Sequence, residues 1–231
     1  MIRRPSRAAS PLEPVARVTT DSLVPCQQHT SLRLMTRADV YLRHCLKYPE
    51  RGVFHSYPEY LHGILLDVDP DVTSFVPQPY TLKIARTSYT PDVYVVRAGQ
   101  QEVIELKGQR GLDPVIEASA RAFFANYAIH FSVVANNTVL AREQEALNWL
   151  PLLQVIACAD QTGLDTQSMT SALLERCRRF PGTTVEELLS PARRPTQYVE
   201  EVALYRLLVT HQLSADLVSA PLNYSSVLTA C

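Results

Sequence analysis

Four residues have the types and the spacing to act together: Glu59, Asp92, Glu105 and Lys107. Asp92 follows Pro91 at the head of an apolar stretch, Asp92–Val96, and Glu105 and Lys107 stand two apart in Ile104-Glu105-Leu106-Lys107-Gly108. Strand side chains alternate between faces, so Glu105 and Lys107 share one face while Ile104 and Leu106 point the other way. If the two stretches pair as a hairpin, Asp92, Glu105 and Lys107 come to one side of a sheet. Two carboxylates in that position suit a hard divalent cation. Mg²⁺ is normally held by one or two carboxylates, with water and substrate phosphate filling its shell. Asp92 and Glu105 supply the carboxylates in this reading, and the Leu106 backbone carbonyl a third oxygen. A cation held there, Mg²⁺ or Mn²⁺ in its place, polarises a phosphate and lowers the pKa of a bound water. Lys107 orients that water or offsets the charge developing on the phosphate. Glu59, from a flanking helix, holds the ion's outer waters or a second ion.

Each residue also has a plainer reading. Glu59 completes a capping box with Ser56, a role that accounts for it fully. An aspartate after proline is often a turn residue. Alternating charges on a strand are usually a solvated face, and Gly108 either lets a DNA backbone approach or starts a turn. The combination, P-D followed after a hairpin by E-x-K, is more specific than any of its parts.

These residues need elements to place them. Residues 36–48 read as a helix with Thr36 as N-cap and Asp39 in its opening turn. Ser56-Tyr57-Pro58-Glu59 ahead of Leu61, Ile64, Leu65 and Val68 marks a second helix start, with Pro58 harmless in the first turn and Asp69-Pro70 ending it. Val72–Phe75, Tyr80–Ile84, Asp92–Val96 and Glu102–Leu106 read as strands, the last two joined through Gly99. Ile116, Ala120, Phe123, Phe124 and Tyr127 form one apolar helical face over 113–128. His130–Ala135 reads as a strand and 138–150, with Trp149, as a helix. The expected class is therefore mixed α/β. Residues 160–170 are polar and read as a linker. After it come short helices over about 170–179, 183–189 and 196–211, then a strand pair at Leu213–Leu217 and Ser225–Leu228. That tail fits either a winged-helix module or an ordinary helical subdomain. The expected division is an arm over 1–35, a main domain over 36–158 and a second over 159–231. The arm, with Arg3, Arg4, Arg7 and Arg17, either touches DNA phosphates or is an unremarkable start.

Composition bounds the function. The 231 residues are 46% hydrophobic and 19% charged, neither disordered nor fibrous in character. With 22 Lys+Arg against 23 Asp+Glu, a strongly basic DNA-coating protein is excluded, though a local basic surface is not. Lysine occurs only at Lys47, Lys83 and Lys107. Cys26, Cys45, Cys158, Cys177 and Cys231 are scattered, with no C-x-x-C spacing and no clustering of the histidines with them, so reduced thiols are expected and a zinc site or disulfide framework is not. No apolar run approaches the roughly 20 residues of a membrane span, and no h-region follows the basic N-terminus. The expectation is a soluble cytoplasmic protein. There is no G-x-S-x-G, P-loop or G-x-G-x-x-G, and the histidines are dispersed, His55 near Glu59 included. Arg110, Arg121 and Arg193-Arg194 either face DNA or form solvated faces, and binding should lean on phosphates.

Tyr89-Thr90-Pro91-Asp92-Val93 and Ile104-Glu105-Leu106-Lys107-Gly108 resemble the PD-(D/E)xK nuclease superfamily, whose fold is restriction-endonuclease-like. From about residue 52 to 136 the chain resembles more closely the TnsA-like endonuclease subunit of heteromeric transposases. The order of Ser56–Glu59, Ile64-Leu65-Leu66, Asp69-Pro70-Asp71-Val72, Gln78-Pro79-Tyr80 and Tyr89–Asp92 carries the likeness. Leu204 to Leu208, Asp216-Leu217 and Pro221-Leu222 resemble the C-terminal part of such proteins more weakly. The resemblance implies Mg²⁺-dependent cutting at the 5′ ends of a transposon, in the bacterial cytosol or nucleoid. It implies as partners the transposon-end DNA, a DDE-type transposase that cuts and joins the 3′ ends, and an AAA+ regulatory ATPase. Glu59 then matches the helix glutamate, Asp92 the central metal ligand, Glu105 the second ligand and Lys107 the catalytic lysine. Pro58 departs from the family's helix, and Glu105 is the superfamily's acid where some members carry Gln. Two other readings keep these residues: a stand-alone phage, defence or restriction-type nuclease, and a catalytically silent DNA-binding or scaffold subunit.

Overall fold

A computed structural model describes residues 15–30, 36 and 39–231. The centre is a four-stranded mixed sheet in the order β4-β7-β8-β9: β4 (Val72–Pro77), β7 (Val93–Arg97), β8 (Gln100–Lys107) and β9 (His130–Ala135). β4, β7 and β8 run antiparallel in turn. β8 and β9 run parallel, joined by the crossover helix α2 (Pro114–Ala125). The β7–β8 turn is Ala98-Gly99, both at positive φ (47° and 77°), as a two-residue hairpin matching strand twist requires.

Alternation sorts the side chains onto two faces. Val93, Val95 and Ile104 pack with Phe75, Leu66 and Phe54 under helix α1 (Tyr57–Val68). Tyr94, Val103 and Phe131 pack with Ala120 and Phe124 of α2 on the other. That second cluster is closed by a small sheet of β1 (Val18–Thr20), β5 (Leu82–Ile84) and β6 (Thr87–Tyr89), which contributes Leu82, Ile84 and Tyr89. Both helices start where their caps dictate. Ser56 caps α1 with Pro58 in the first turn, and Asp113 accepts the Val115 and Ile116 amides at 2.9 and 3.2 Å to cap α2.

Helix α1 is buried on more than one side. Leu61, Ile64, Leu65 and Val68 join a cluster with Trp149, Leu152 and Leu153 of α4 (Glu143–Gln161), Leu173 of α5 (Gln167–Arg179) and Leu204, Leu207 and Leu208 of α7 (Tyr198–Val209). Between α5 and α7 come α6 (Val185–Leu188) and a 3₁₀ turn, Pro191–Thr196. β10 (Leu213–Ser214) and β11 (Thr229–Ala230) form the terminal pair. The expected second strand of that pair therefore lies slightly later, at Thr229–Ala230.

Three other expectations are corrected. Residues 41–44 are not helical: β2 (Tyr41–His44) pairs antiparallel with β3 (Arg51–Phe54). The cause is long-range. The fully buried Asp67 carboxylate of α1 accepts the Leu46 and Lys47 amides (3.0 and 2.9 Å) and the Arg43 guanidinium (2.6 Å), which anchors the hairpin in place of a helix. The expected arm over 1–35 does not extend through 15–30. β1 pairs with β5, and the Cys26 and Gln28 amides donate to the Pro79 and Gln78 carbonyls at 3.1 and 2.9 Å. Arg3, Arg4 and Arg7 lie outside the described residues. The single helix expected over 138–150 is two, α3 (Asn136–Leu140) and α4, and α4 runs on past Pro151. Proline inside a helix costs about 3 kcal/mol. Here its ring faces solvent while Leu152, Leu153 and Ile156 beyond it are buried, and that burial carries the helix on. α4 thereby spans the expected boundary at 158/159.

No helix among the described residues is long and apolar enough to cross a membrane. All five cysteines are free thiols.

Candidate active site

The hairpin register places the expected residues. Val93 lies opposite Ile104, so the next position outward sets Asp92 opposite Glu105 where β7 begins and β8 runs on. The β7 pairing ends at Val93, and the Leu106 amide donates to Asp92 Oδ2 at 2.6 Å instead. A strand residue directs its N–H and C=O to the same side. The Leu106 carbonyl therefore faces the edge that carries Asp92.

Glu105 is only 1% exposed. Its Oε1 forms an ion pair with Lys107 Nζ, and its Oε2 accepts the Tyr89 hydroxyl at 2.7 Å. Lys107 is partly exposed and lines an open cleft of about 240 Å³ with Gly108, Gln109 and Asn136. One end of the constellation is thus buried and the other reaches solvent.

Glu59 approaches from α1. Its Oε1 accepts the Ser56 hydroxyl at 2.8 Å, and Oε2 accepts the His55 amide at 3.0 Å and the Gln78 carboxamide at 2.8 Å. The capping role is real. Glu59 also shares with Asp92 and Leu106 a cavity of about 10 Å³, which is about the room one water needs.

Sequence reasoning missed the role of Gln78. It is 3% exposed and its backbone takes a left-handed φ of 40°, which non-glycine residues rarely adopt. Its amide donates to the Asp92 carbonyl at 2.8 Å while its side chain holds Glu59 and accepts from Gln27 at 3.0 Å. One residue so ties the acid on the helix to the acid on the strand. The Gln78-Pro79 dipeptide was the only trace of it in the sequence. Tyr89 was legible as part of Tyr-Thr-Pro-Asp, but nothing local announced that its hydroxyl reaches Glu105.

The charges conflict. Burial, then the Glu105 and Glu59 charges, push the Asp92 carboxyl well above the usual carboxylate range, against the Leu106 amide and Lys107. Burial also raises Glu105, against the ion pair with Lys107 and the Tyr89 hydrogen bond. Burial alone would lower Lys107, but the Glu105 hydrogen bond and the charges of Glu105, Asp92 and Glu59 outweigh it and hold the ammonium protonated. Burial and Glu105 likewise keep Tyr89 a phenol, and so a donor.

A divalent cation would relieve this conflict, since a bound ion inverts the local pKa balance. The donor set is all oxygen, as Mg²⁺ prefers. Among the described residues no cluster of three or more His, Cys, Asp or Glu side chains forms a ready cage. Asp92, Glu105 and the Leu106 carbonyl are oxygen donors of the kind such an ion takes, while both Glu105 oxygens are held by Lys107 and Tyr89 and the cavity beside Asp92 has room for about one water.

The remaining candidates are dispersed. Arg121 donates to the Phe131 carbonyl and to Glu117, both at 2.8 Å, and Arg194 pairs with Glu201 at 3.3 Å. Arg110 and Arg193 are exposed. His55 is hydrogen-bonded to Thr30 at 2.8 Å, and burial lowers its pKa. In comparisons with known proteins, no family model and no curated protein matches this chain.

Proposed function

We propose that this protein is a metal-dependent DNA endonuclease of the PD-(D/E)xK kind, with Asp92 and Glu105 as metal ligands and Lys107 as the catalytic lysine. The observation that carries the reading is the meeting of these three groups where β7 begins, with a buried carboxylate pair whose repulsion a cation between them would relieve. A mixed sheet flanked by helices, with the hairpin at its centre, supports a restriction-endonuclease-like core. The helices and short strand pair after residue 166 are compatible with a winged-helix module.

Mg²⁺ bound there would supply charge neutralisation at the phosphate and an activated water. Asp92, Glu105 and the Leu106 carbonyl would hold it. The Lys107 ammonium, fixed by Glu105 and open to the cleft, would orient the attacking water or stabilise charge on the phosphate. Glu59, locked by Ser56, His55 and Gln78, would order the ion's outer waters. By its resemblance the protein would act in the cytoplasm on transposon ends, beside a DDE-type transposase and an AAA+ ATPase.

The test is strand cleavage of transposon-end DNA by the purified protein with its partners. Asp92→Ala and Lys107→Ala should each abolish nicking while circular dichroism stays native. Chelation should stop cleavage and added Mg²⁺ restore it. Wild-type nicking by folded Asp92→Ala protein, or cutting in excess EDTA, would overturn the assignment.

A further inference from the structure

The C-terminal helices line a further, partly open cavity of about 120 Å³, which includes none of the residues discussed above as metal or catalytic groups. Its walls come from α6, the 3₁₀ turn, α7 and the tail, and include Leu189, Arg194, Gln197, Glu201, Tyr205 and Tyr224. The tail wall is pinned in place: the Glu186 amide donates to the Tyr224 carbonyl at 2.9 Å and the Val185 amide to Ser226 at 3.0 Å.

Two of the polar residues that line it, Gln197 and Glu201, offer acceptor oxygens. Gln197 is 7% exposed, and its side-chain oxygen is buried with no hydrogen-bond partner among the described residues. A buried acceptor without a donor is costly, so such an atom marks a place where a donor belongs. Glu201, one turn further along α7, is mostly buried and takes the Tyr205 hydroxyl at 2.7 Å. Tyr205 and Tyr224 also line the cavity, and an aromatic ring attracts a planar cation.

The cavity already holds one cation loosely. Arg194 Nη2 reaches Glu201 Oε1 at 3.3 Å, yet the Arg194 side chain is 67% exposed. Such a solvated pair is weak and easily exchanged. Among the described residues no donor, Arg194 included, satisfies the Gln197 side-chain oxygen, so Arg194 covers the carboxylate without filling the site.

We propose that this cavity is a binding site for a guanidinium group from outside the fold, with Arg194 as a displaceable plug. The flat fork of a guanidinium can donate to Glu201 and to Gln197 at once, which a single ammonium point charge does less well. The source is either an arginine of a partner polypeptide or a free arginine-like molecule. The proposal stands independently of the nuclease reading.

The experiment is an NMR titration of the full chain, following the Gln197 side-chain amide and the backbone amides of residues 194–205. The probes are N-acetyl-arginine methylamide, its neutral isostere N-acetyl-citrulline methylamide, and the peptide Gly-Gly-Arg-Gly-Gly. The arginine probe should shift these signals and the citrulline probe should not. Arg194→Ala removes the competitor and should tighten binding. Glu201→Gln should weaken it by about tenfold or more, as expected for loss of a charged hydrogen-bond acceptor. A peptide that binds more tightly than the single amide assigns the site to a polypeptide, and equal affinity assigns it to a free small molecule. Equal binding of citrulline and arginine, or no shifts at these residues with folded Arg194→Ala protein, would overturn the proposal.

Discussion

Asp92→Asn separates a cation-holding carboxylate from a structural one. Asparagine keeps an acceptor oxygen for the Leu106 amide, removes the charge and puts an NH2 donor in place of the second oxygen. In the protein without a divalent ion, burial and then the Glu105 and Glu59 charges raise the Asp92 carboxyl pKa. The folded state then binds this proton more tightly than the unfolded chain does. The stability contributed by Asp92 is therefore complete below the unfolded carboxyl range, near pH 3.9, and is lost as pH rises from there through the raised folded value. At neutral pH in EDTA, Asp92→Asn should unfold at a temperature no lower than the wild type. A carboxylate present only to cap the Leu106 amide gives the opposite sign, because weakening that charged hydrogen bond costs about 1–3 kcal/mol. The second arm is Mg²⁺. A ligand present at about 100 times its dissociation constant, and bound only by the folded state, stabilises by about 2.7 kcal/mol. For a chain of this size each kcal/mol moves the midpoint by roughly 2–4 °C, so saturating Mg²⁺ should raise the wild-type midpoint by roughly 5–10 °C. The variant should gain little. Differential scanning calorimetry in EDTA and in saturating Mg²⁺ reads both arms. A variant destabilised by several degrees in EDTA and raised by Mg²⁺ as much as the wild type would refute the reasoning.

Lys107→Ala strips the buried Glu105 of its counter-ion, which raises the Glu105 pKa further. The resulting loss of stability should be larger at about pH 8 than at about pH 5, where the carboxyl can take up a proton, and urea unfolding at the two values checks the sign. Tyr89→Phe removes a donor from that same carboxylate and should cost about 1–3 kcal/mol in chemical denaturation. Gly63→Ala would place a methyl 2.6 Å from the Phe54 ring, so it should destabilise by about 1–3 kcal/mol, with calorimetry as the measure.

The site divides in the same way as the fold. Ser56, Glu59 and the apolar spacing after them specify α1 before any packing is considered, because a cap and its helix are within four residues of each other. The β7–β8 hairpin was legible from Gly99 and the alternating strands, while the two-residue turn Ala98-Gly99, which sets the register and puts Asp92 opposite Glu105, was decided by the structure. The segment 41–48 was misread because Asp67, some twenty residues away, takes its amides. The packing of residues 15–30 was missed for a similar reason, since β1 has its partner more than sixty residues on, in β5.

What the sequence determined by itself is the chemistry available: which acids and which lysine exist, and which of them share a strand face. Period, caps and turns are properties of neighbouring residues, and they can be read in order along the chain. Only the tertiary structure decided the state of those groups. Tyr89 meets Glu105 and Gln78 bridges Glu59 to Asp92 because separate segments pack together. Burial, the source of the charge conflict at Asp92, is a sum over every segment that excludes water there, and no local run of residues contains it.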